Sequence, residues 1–159
     1  MIFSSLNISV EFLFFLFLLN LFAHGLILIN RGTYWDSWML RYWLNNNDLQ
    51  SVKIFYKKVG MPFFYYMHRL LNPTRKSAWI YRVACFISLW STSALVFLIC
   101  HNFSPLDEWQ SFFIAAMMLM FPIQDMALDF FVTVQYVLTQ TLFYCAILLC
   151  FILNDLNWS

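Results

Sequence analysis

The sequence has few charged residues: Asp, Glu, Lys and Arg make up 11% of its 159 residues, whereas 62% are hydrophobic and 21% are aromatic. Soluble domains are about a quarter charged and about half apolar. The apolar residues fall in long uncharged runs instead of alternating with polar ones, so a water-soluble fold could not bury them all. The composition therefore indicates a membrane protein with a single domain.

Two further absences exclude common functions. The net charge is only +1, with nine basic residues against eight acidic ones, so there is no basic excess to bind nucleic acid. The cysteines include no C-x-x-C pair, and all four lie in apolar runs: Cys85, Cys100, Cys145 and Cys150. We interpret them as small buried hydrophobic residues and not as metal or redox sites.

Four largely uncharged stretches have the length expected of membrane helices. They predict an all-α, polytopic membrane fold with transmembrane helices near residues 10–30, 78–100, 108–124 and 129–154, in one membrane domain over residues 1–159. A signal peptide is the alternative for the first stretch, but no Lys or Arg precedes Phe12 and no small-x-small cleavage site follows. Ser104 and Pro105, followed by two acids, indicate the entry to the third helix.

The loop between the first two spans, residues 31–77, has a pattern of its own. Apolar and aromatic side chains recur there at helical spacing, which predicts amphipathic helices on the membrane surface. The polar run at residues 45–48 should end the first of them and cap the second, and Gly60 with Pro62 should separate the second from a third. The second helix would carry Val52, Phe55, Tyr56 and Val59 on one face and Lys53 and Lys57 on the other.

All nine basic residues lie between Arg31 and Arg82, in or beside this loop. The positive-inside rule would place such a loop in the cytoplasm. The alternative is that the cations serve a function on the outer face, where anionic lipid-linked substrates would need them. The two interpretations predict opposite topologies.

Asp36 follows the first span closely and lies between Trp35 and Trp38. A carboxylate held at the lipid–water boundary by indole rings could act as a general base or hold a divalent metal ion. The alternative is a helix cap in an aromatic belt, because Asp is favoured in a first turn and Trp at membrane interfaces.

Several cations of the same loop could bind phosphate or pyrophosphate, since Arg grips phosphate with two hydrogen bonds and Lys acts as a point charge. Attraction to anionic membrane lipids explains these cations at least as well. A histidine beside them could act as acid, base or phosphate donor, although a lone interfacial histidine is more often merely solvated. The candidate substrate-binding residues are Lys53, Lys57, Lys58, His68, Arg69, Arg75 and the adjacent Lys76.

Asp125 and Asp129 are four residues apart between the third and fourth spans. Two carboxylates at that spacing on a helix can share a cation. Together with Asp36 they are the candidate ligands of a divalent ion such as Mg²⁺ or Mn²⁺. Otherwise they are ordinary loop acids.

Polar side chains inside the spans have two interpretations. They can mark a functional pathway, or they can join helices by hydrogen bonds in lipid, which is the commoner outcome. We expect the second for Asn20, His24, Gln135 and Gln140.

The order of these features resembles the amino-terminal part of GT-C-fold glycosyltransferases, polytopic enzymes that transfer a sugar from a polyprenyl-phosphate carrier. The resemblance rests on one apolar helix, the entry Arg-Gly-x-x-Trp-Asp-x-Trp at residues 31–38, a long loop of amphipathic helices, and closely spaced membrane helices. Phe-Pro-Ile-Gln at residues 121–124, Gln-Tyr at 135–136 and Leu-Phe at 142–143 look like the third-to-fourth helix region of bacterial members. Two features differ: many members have a second acid where this chain has Ser37, and the family's membrane bodies have many more than four helices.

The resemblance implies an inverting transfer in which Asp36 activates the acceptor hydroxyl or holds the metal ion, while the basic residues bind the phosphate of a polyprenyl-phosphate-linked sugar. The acceptor would be a cell-envelope glycan or lipid, and the basic loop would be extracytoplasmic. The chain would then be an amino-terminal module of a cell-membrane enzyme. The alternative is a non-catalytic membrane subunit, with a cytoplasmic loop, that packs its aromatic faces against a larger membrane partner.

Overall fold

The computed structural model describes residues 6–29, 37–71, 78–120 and 130–158, and every regular element in these ranges is an α-helix. The all-α fold class is therefore confirmed. In chain order the helices are α1 (Val10–His24), α2 (Leu26–Ile29), α3 (Ser37–Asn45), α4 (Leu49–Lys58), α5 (Phe63–Leu71), α6 (Ala78–Phe103), α7 (Glu108–Leu119) and α8 (Phe130–Trp158).

Helix α6 lies at the centre of the bundle and packs most extensively against α8; we call α6 and α8 the central pair. Both are long and apolar enough to cross a membrane, over Trp79–Phe103 and Thr133–Asn154. The hydroxyl oxygens of Thr92 and Thr141 are 2.8 Å apart across their contact, and the Thr141 oxygen is also 3.2 Å from the Ser88 carbonyl oxygen. Hydroxyl contacts of this kind join membrane helices because lipid offers no competing partner.

Helix α1 packs along α6 and α7. Its Phe12 and Leu16 are buried with Phe97 of α6 and Ala115 of α7 in one hydrophobic cluster. Beyond His24 the chain passes through Gly25 into α2, so that residues 10–29 form a nearly unbroken helical run about 30 Å long.

Two of the polar residues predicted to join helices connect α1 to its neighbours. The Asn20 amide donates to the Phe86 carbonyl oxygen of α6 at 3.1 Å. The His24 Nε2 atom lies 2.9 Å from the Leu119 carbonyl oxygen of α7. Gln135 of α8 accepts a hydrogen bond from α4. These three predictions are confirmed.

Helix α7 is shorter than the predicted third span. It begins at Glu108, as predicted. The Asp107 side chain accepts from the Gln110 backbone N–H at 2.8 Å, and the Gln110 side chain accepts from the Asp107 backbone N–H at 3.2 Å. This capping box satisfies two donors at the N-terminus of the helix. Its 12 residues rise only about 18 Å, and residues 121–129 lie outside the described ranges. Among the described residues, two helices are long and apolar enough to cross a membrane. The predicted count of four spans is therefore not confirmed.

The described part of the predicted amphipathic loop, residues 37–71, folds into the three helices α3, α4 and α5. After α3, the left-handed φ of 56° at Asn47 turns the chain, and the Asp48 side chain caps α4 by accepting from the Ser51 N–H at 3.0 Å. Gly60 has a φ of 76°, which only glycine adopts readily, and it turns the chain from α4 towards α5. The predicted helix boundaries in this loop are confirmed.

The bundle leaves a large apolar surface on α8. Of the 18 most apolar consecutive residues only 11% are buried in α8, against 50% in α6. Leu142, Phe143 and Leu149 are each more than half exposed. Cys85 is buried, as predicted, but Cys150 is exposed on α8. Lipid is the natural cover for an apolar helix face of this kind.

Replacing Leu16 by Ala should destabilise the bundle strongly, because Leu16 has no exposed surface and its side chain fills space between α1, α6 and α7. Buried Leu→Ala changes cost about 2–5 kcal/mol. Leu21→Ala on the same helix, where Leu21 is 46% exposed, is the matched control and should cost far less. Thermal unfolding of the detergent-solubilised protein measures both, and equal melting temperatures would contradict the packing of α1.

Candidate functional site

Four polar side chains from four helices meet in the interior between the loop helices and the central pair. The Tyr56 hydroxyl of α4 lies 2.7 Å from Nε2 of His68 of α5 and 2.9 Å from Oε1 of Gln135 of α8. The other ring nitrogen of His68, Nδ1, lies 3.0 Å from the Tyr81 hydroxyl of α6. We call these four residues the His68 network.

The hydrogen positions in the His68 network follow from its acceptors. The Gln135 Oε1 atom can only accept, so the Tyr56 hydroxyl donates to it and receives a hydrogen bond from the protonated Nε2 of His68. The neutral imidazole then leaves Nδ1 as an acceptor for the Tyr81 hydroxyl, which also donates to the His68 carbonyl oxygen at 3.3 Å. Each of these polar atoms has a partner, as buried polar groups require.

The environment keeps the imidazole neutral. His68 has no exposed surface and is stacked between two tyrosine rings, with ring centroids 5.2 Å from Tyr56 and 5.6 Å from Tyr81. Burial lowers the pKa of His68 to about 4, against the smaller opposing effect of a hydrogen bond with Gln135. Burial likewise raises the pKa of Tyr56. The His68 network is thus uncharged at neutral pH.

Apolar packing positions the His68 network. Leu40 and Leu44 of α3 and Val52 of α4 belong to one hydrophobic core that also includes Cys85 of α6 and Val134 of α8. Because Val52 and Tyr56 are one helical turn apart, burying the first brings the second to the same interface. The loop helices therefore pack against the central helices through both apolar and polar contacts.

The cations of α4 and α5 lie on the outside of the same helices. The side chains of Lys53, Lys57, Lys58 and Arg69 are all exposed. The Lys53 ammonium lies 5.9 Å from the centre of the Tyr65 ring, a cation–π distance. Helices α4 and α5 thus have a buried polar network on their inner side and exposed positive charge on their outer side. We call α3, α4 and α5, with these exposed cations, the cationic layer.

The structure separates the predicted site residues into three groups. The exposed cations of α4 and α5 are accessible to an anion. His68 is buried, so its interpretation as a solvated interfacial residue is wrong, and it is equally closed to a substrate. The remaining predicted residues, Asp36, Arg75, Lys76, Asp125 and Asp129, lie outside the described residues.

A metal site also stays a prediction. Within the described ranges no group of three or more His, Cys, Asp or Glu side chains could hold a metal ion. The candidate ligands all fall outside those ranges, so their fit to Mg²⁺ or Mn²⁺ stays untested.

The sequence pattern does not reveal the role of two tyrosines, Tyr56 and Tyr81. Tyr56 was predicted on the apolar face of α4, which is correct, but the pattern gave no sign that its hydroxyl would meet an imidazole. Tyr81 lies at the start of a predicted span, where a tyrosine is usually part of an aromatic belt. Only the fold brings them to His68, which is 12 residues from Tyr56 and 13 from Tyr81 along the chain.

Comparison of the chain with protein-family models, with curated proteins and with solved structures finds no match.

Acidification should unfold the protein through His68. Its pKa of about 4 in the folded state lies below the ordinary 6.5, so the unfolded state binds the proton more tightly and stability falls as the pH drops from 6.5 towards 4. Between about pH 7.5 and about pH 5 the loss from this group should be about 2 kcal/mol. Thermal unfolding in detergent at a series of pH values measures it.

The control for this prediction is a pair of histidine variants. His68→Gln removes the titrating group and should flatten the slope of stability against pH over this window, although it lowers stability at every pH. His101→Gln leaves the His68 network intact and should keep the slope. An unchanged slope in His68→Gln would show that His68 is not the group that titrates.

Proposed function

We propose that the chain is a multi-pass protein of the cell membrane, of the GT-C glycosyltransferase type, whose cationic layer binds the phosphate of a polyprenyl-phosphate-linked sugar. It would act as the amino-terminal module of the enzyme, and the acceptor would be a cell-envelope glycan or lipid. In this proposal Asp36 acts on the acceptor hydroxyl.

The observation that supports this proposal is the construction of the cationic layer. A loop that only connected two membrane helices would need neither a buried hydrogen-bond network nor its own share of the hydrophobic core. Here the inner sides of α4 and α5 are fixed to α6 and α8 by Tyr56 and His68, while Lys53, Lys57 and Arg69 are exposed. Fixed cations bind a phosphate with less loss of conformational freedom than cations on a mobile loop.

A four-span topology suits the same proposal. The helical run over residues 10–29 has the length of a bilayer core, about 30 Å. Helix α7 would complete the third span together with the residues that follow Met120, and α6 and α8 are the two helices that already have the required length. The cationic layer would then lie at the membrane surface, at the depth of lipid phosphates.

The proposed reaction is a direct displacement at the anomeric carbon of the donor sugar. Asp36 would take the proton of the acceptor hydroxyl as that oxygen attacks the anomeric carbon of the sugar. The bond from that carbon to the carrier phosphate breaks, the configuration inverts, and the electron pair leaves on the phosphate. Lys57 and its neighbours would stabilise the negative charge that develops there. A divalent ion, if the enzyme uses one, would neutralise the same phosphate charge.

A non-catalytic membrane subunit is the second candidate. The observation that favours it is the exposed apolar face of α8, where only 11% of the 18 most apolar consecutive residues are buried. A larger membrane partner could cover that face. In that case the cations would attract anionic lipids of the cytoplasmic leaflet.

Asp36→Asn should lower the rate of sugar transfer by at least about 10²-fold, because a general base contributes about 10²–10⁴ in rate. The measurement is transfer from a panel of polyprenyl-phosphate sugars by the full protein, or by the assembly to which it belongs, in membrane vesicles. Lys57→Ala should instead raise KM for the donor with a smaller effect on kcat.

Asp107→Asn is the matched control for the Asp36 variant. Asn caps helices as well as Asp does, so this variant should keep its activity while carrying the same change of side-chain charge. If Asp36→Asn accumulates in the membrane and turns over within a few-fold of the unchanged protein, the catalytic assignment is wrong.

The side of the membrane on which the cationic layer lies separates the two candidates. Gln50→Cys places a thiol on an exposed position of α4, in a background where the four native cysteines are replaced by alanine. We expect an impermeant maleimide to label it on intact cells, because the enzyme would meet its lipid-linked donor on the outer face. Labelling only after the cells are opened would favour the subunit.

A further inference from the structure

An open apolar groove runs between α1 and α7, away from the cationic layer. Its volume is about 860 Å³, and every side chain that lines it is apolar. Phe15 and Leu18 line it from α1, and Phe112, Ala116 and Met117 line it from α7. This α1–α7 groove belongs neither to the His68 network nor to the exposed cations.

The two helices that form the groove run parallel to each other. Near their N-termini, the rings of Phe12 and Trp109 are 5.0 Å apart. Near their C-termini, the His24 side chain contacts the Leu119 carbonyl oxygen. Both N-termini therefore lie at the same end of the groove.

That end of the groove carries two carboxylates. Glu11 precedes Phe15 by four residues, and Glu108 precedes Phe112 by four, so each acid lies one turn beyond a lining side chain and on the same helix face. Glu11 is exposed and the Glu108 side chain is 42% exposed. Each acid also suits its own helix N-terminus, but their common position makes the end of an apolar groove acidic.

The charges of the described residues are divided along the bundle. Their Lys and Arg residues all lie in α3, α4 and α5 or in the first two turns of α6. The acidic end of the groove is at the opposite end of α6, where Glu108 lies 3.8 Å from His101. Apart from His101, the described residues place no cation at this end, so the groove offers an apolar stripe followed, one turn later, by two carboxylates.

We propose that the α1–α7 groove binds a transmembrane helix of another protein that carries a Lys or Arg one turn outside its apolar run. Such a helix lays its apolar side chains against Phe15, Phe112 and Met117 and places its cation between Glu11 and Glu108. The Trp109 ring, 60% exposed at the same end, adds a cation–π surface.

Two other occupants fit the groove less well. A second copy of this chain in the same membrane orientation would place its own Glu11 and Glu108 at the same depth, so that four carboxylates would repel one another. A phospholipid could lay a tail in the groove, but its headgroup would bring an anionic phosphate to the acids together with any choline or ethanolamine cation, so it would add no net positive charge there. An occupant with net positive charge at that end matches both the apolar lining and the two carboxylates.

The test uses the full protein in phosphatidylcholine vesicles with synthetic transmembrane peptides. Both peptides have an apolar leucine–alanine core of about 20 residues; one carries Lys one turn outside the core at one end, and the other carries Glu there. Energy transfer from a dye on the protein to a dye on the peptide gives the dissociation constant. The Lys peptide should bind about fivefold or more tightly than the Glu peptide, as expected for one to two partly exposed ion pairs.

Variants separate the contributions of charge and shape. Glu11→Gln with Glu108→Gln should remove the preference for Lys while leaving the apolar binding. Ala116→Phe fills the groove and should abolish binding of both peptides, whereas Ala146→Phe on the exposed face of α8 adds the same bulk elsewhere and should leave binding unchanged.

Four results would overturn the proposal. In the first, the two peptides bind equally well, and in the second, neither peptide binds. In the third, the peptides still bind the Ala116→Phe variant. In the fourth, two copies of the chain show energy transfer to each other, and Ala116→Phe abolishes that transfer. The last would assign the groove to a second copy. If neither peptide binds, and a spin-labelled phosphatidylcholine is immobilised by the protein but not by the Ala116→Phe variant, the groove would be assigned to lipid. None of these results depends on sugar transfer.

Discussion

The hydrogen bonds of His68 are the constraint on which the arrangement of this molecule depends. An imidazole in an apolar interior is stable only when both ring nitrogens have partners, and here Tyr56 and Tyr81 supply them from two different helices. Gln135 adds a third helix by accepting from Tyr56. A shift of α4 or α5 away from the central pair would leave buried polar atoms unpaired, at a cost of about 1–3 kcal/mol each. The buried hydrogen bonds on the inner side of α4 and α5 therefore fix the positions of these helices, and with them the positions of the backbone that carries the exposed cations.

Charge separates the two ends of the bundle: the described Lys and Arg residues lie at one end, and Glu11 and Glu108 lie at the other. The cationic layer favours anionic phosphates at a membrane surface. At the other end, Glu11 and Glu108 disfavour them and favour a cationic side chain. The same separation explains why the basic loop conflicts with the positive-inside rule if the loop lies outside the cell. A strong functional need for cations would be required to override that rule, and binding of a lipid-linked phosphate is such a need.

Local signals in the sequence predicted the local structure well. The polar run around Asn47 and Asp48, the glycine at Gly60 and the cap at Asp107 each act over a few residues, and each defines a helix boundary as expected. The amphipathic pattern of α4 also correctly separated the buried Val52 and Tyr56 from the exposed lysines. The length of α7 was not predicted, because an apolar run shows where a helix can continue and not where the fold ends it.

Long-range contacts could not be read from the sequence in the same way. The pattern shows that Tyr56 and Gln135 lie on inward-facing positions, but it does not show that residues 79 apart along the chain share a hydrogen bond. His68 illustrates the consequence. Its position beside Arg69 in an interfacial loop made a solvated histidine the natural interpretation, whereas the fold places this side chain of α5 in the interior.

The exposed face of α8 and the α1–α7 groove differ in what can cover them. Two threonine hydroxyls of α8 are satisfied within the helix, since Thr139 donates to the Gln135 carbonyl oxygen at 2.7 Å and Thr141 donates to the Val137 carbonyl oxygen at 2.8 Å. Lipid tails can therefore cover α8 without leaving those groups unpaired. The groove has an apolar lining with two carboxylates at its end, which lipid tails cannot neutralise. Lipid is thus a sufficient cover for α8, whereas the α1–α7 groove has a charged end that the proposed cationic partner would complement.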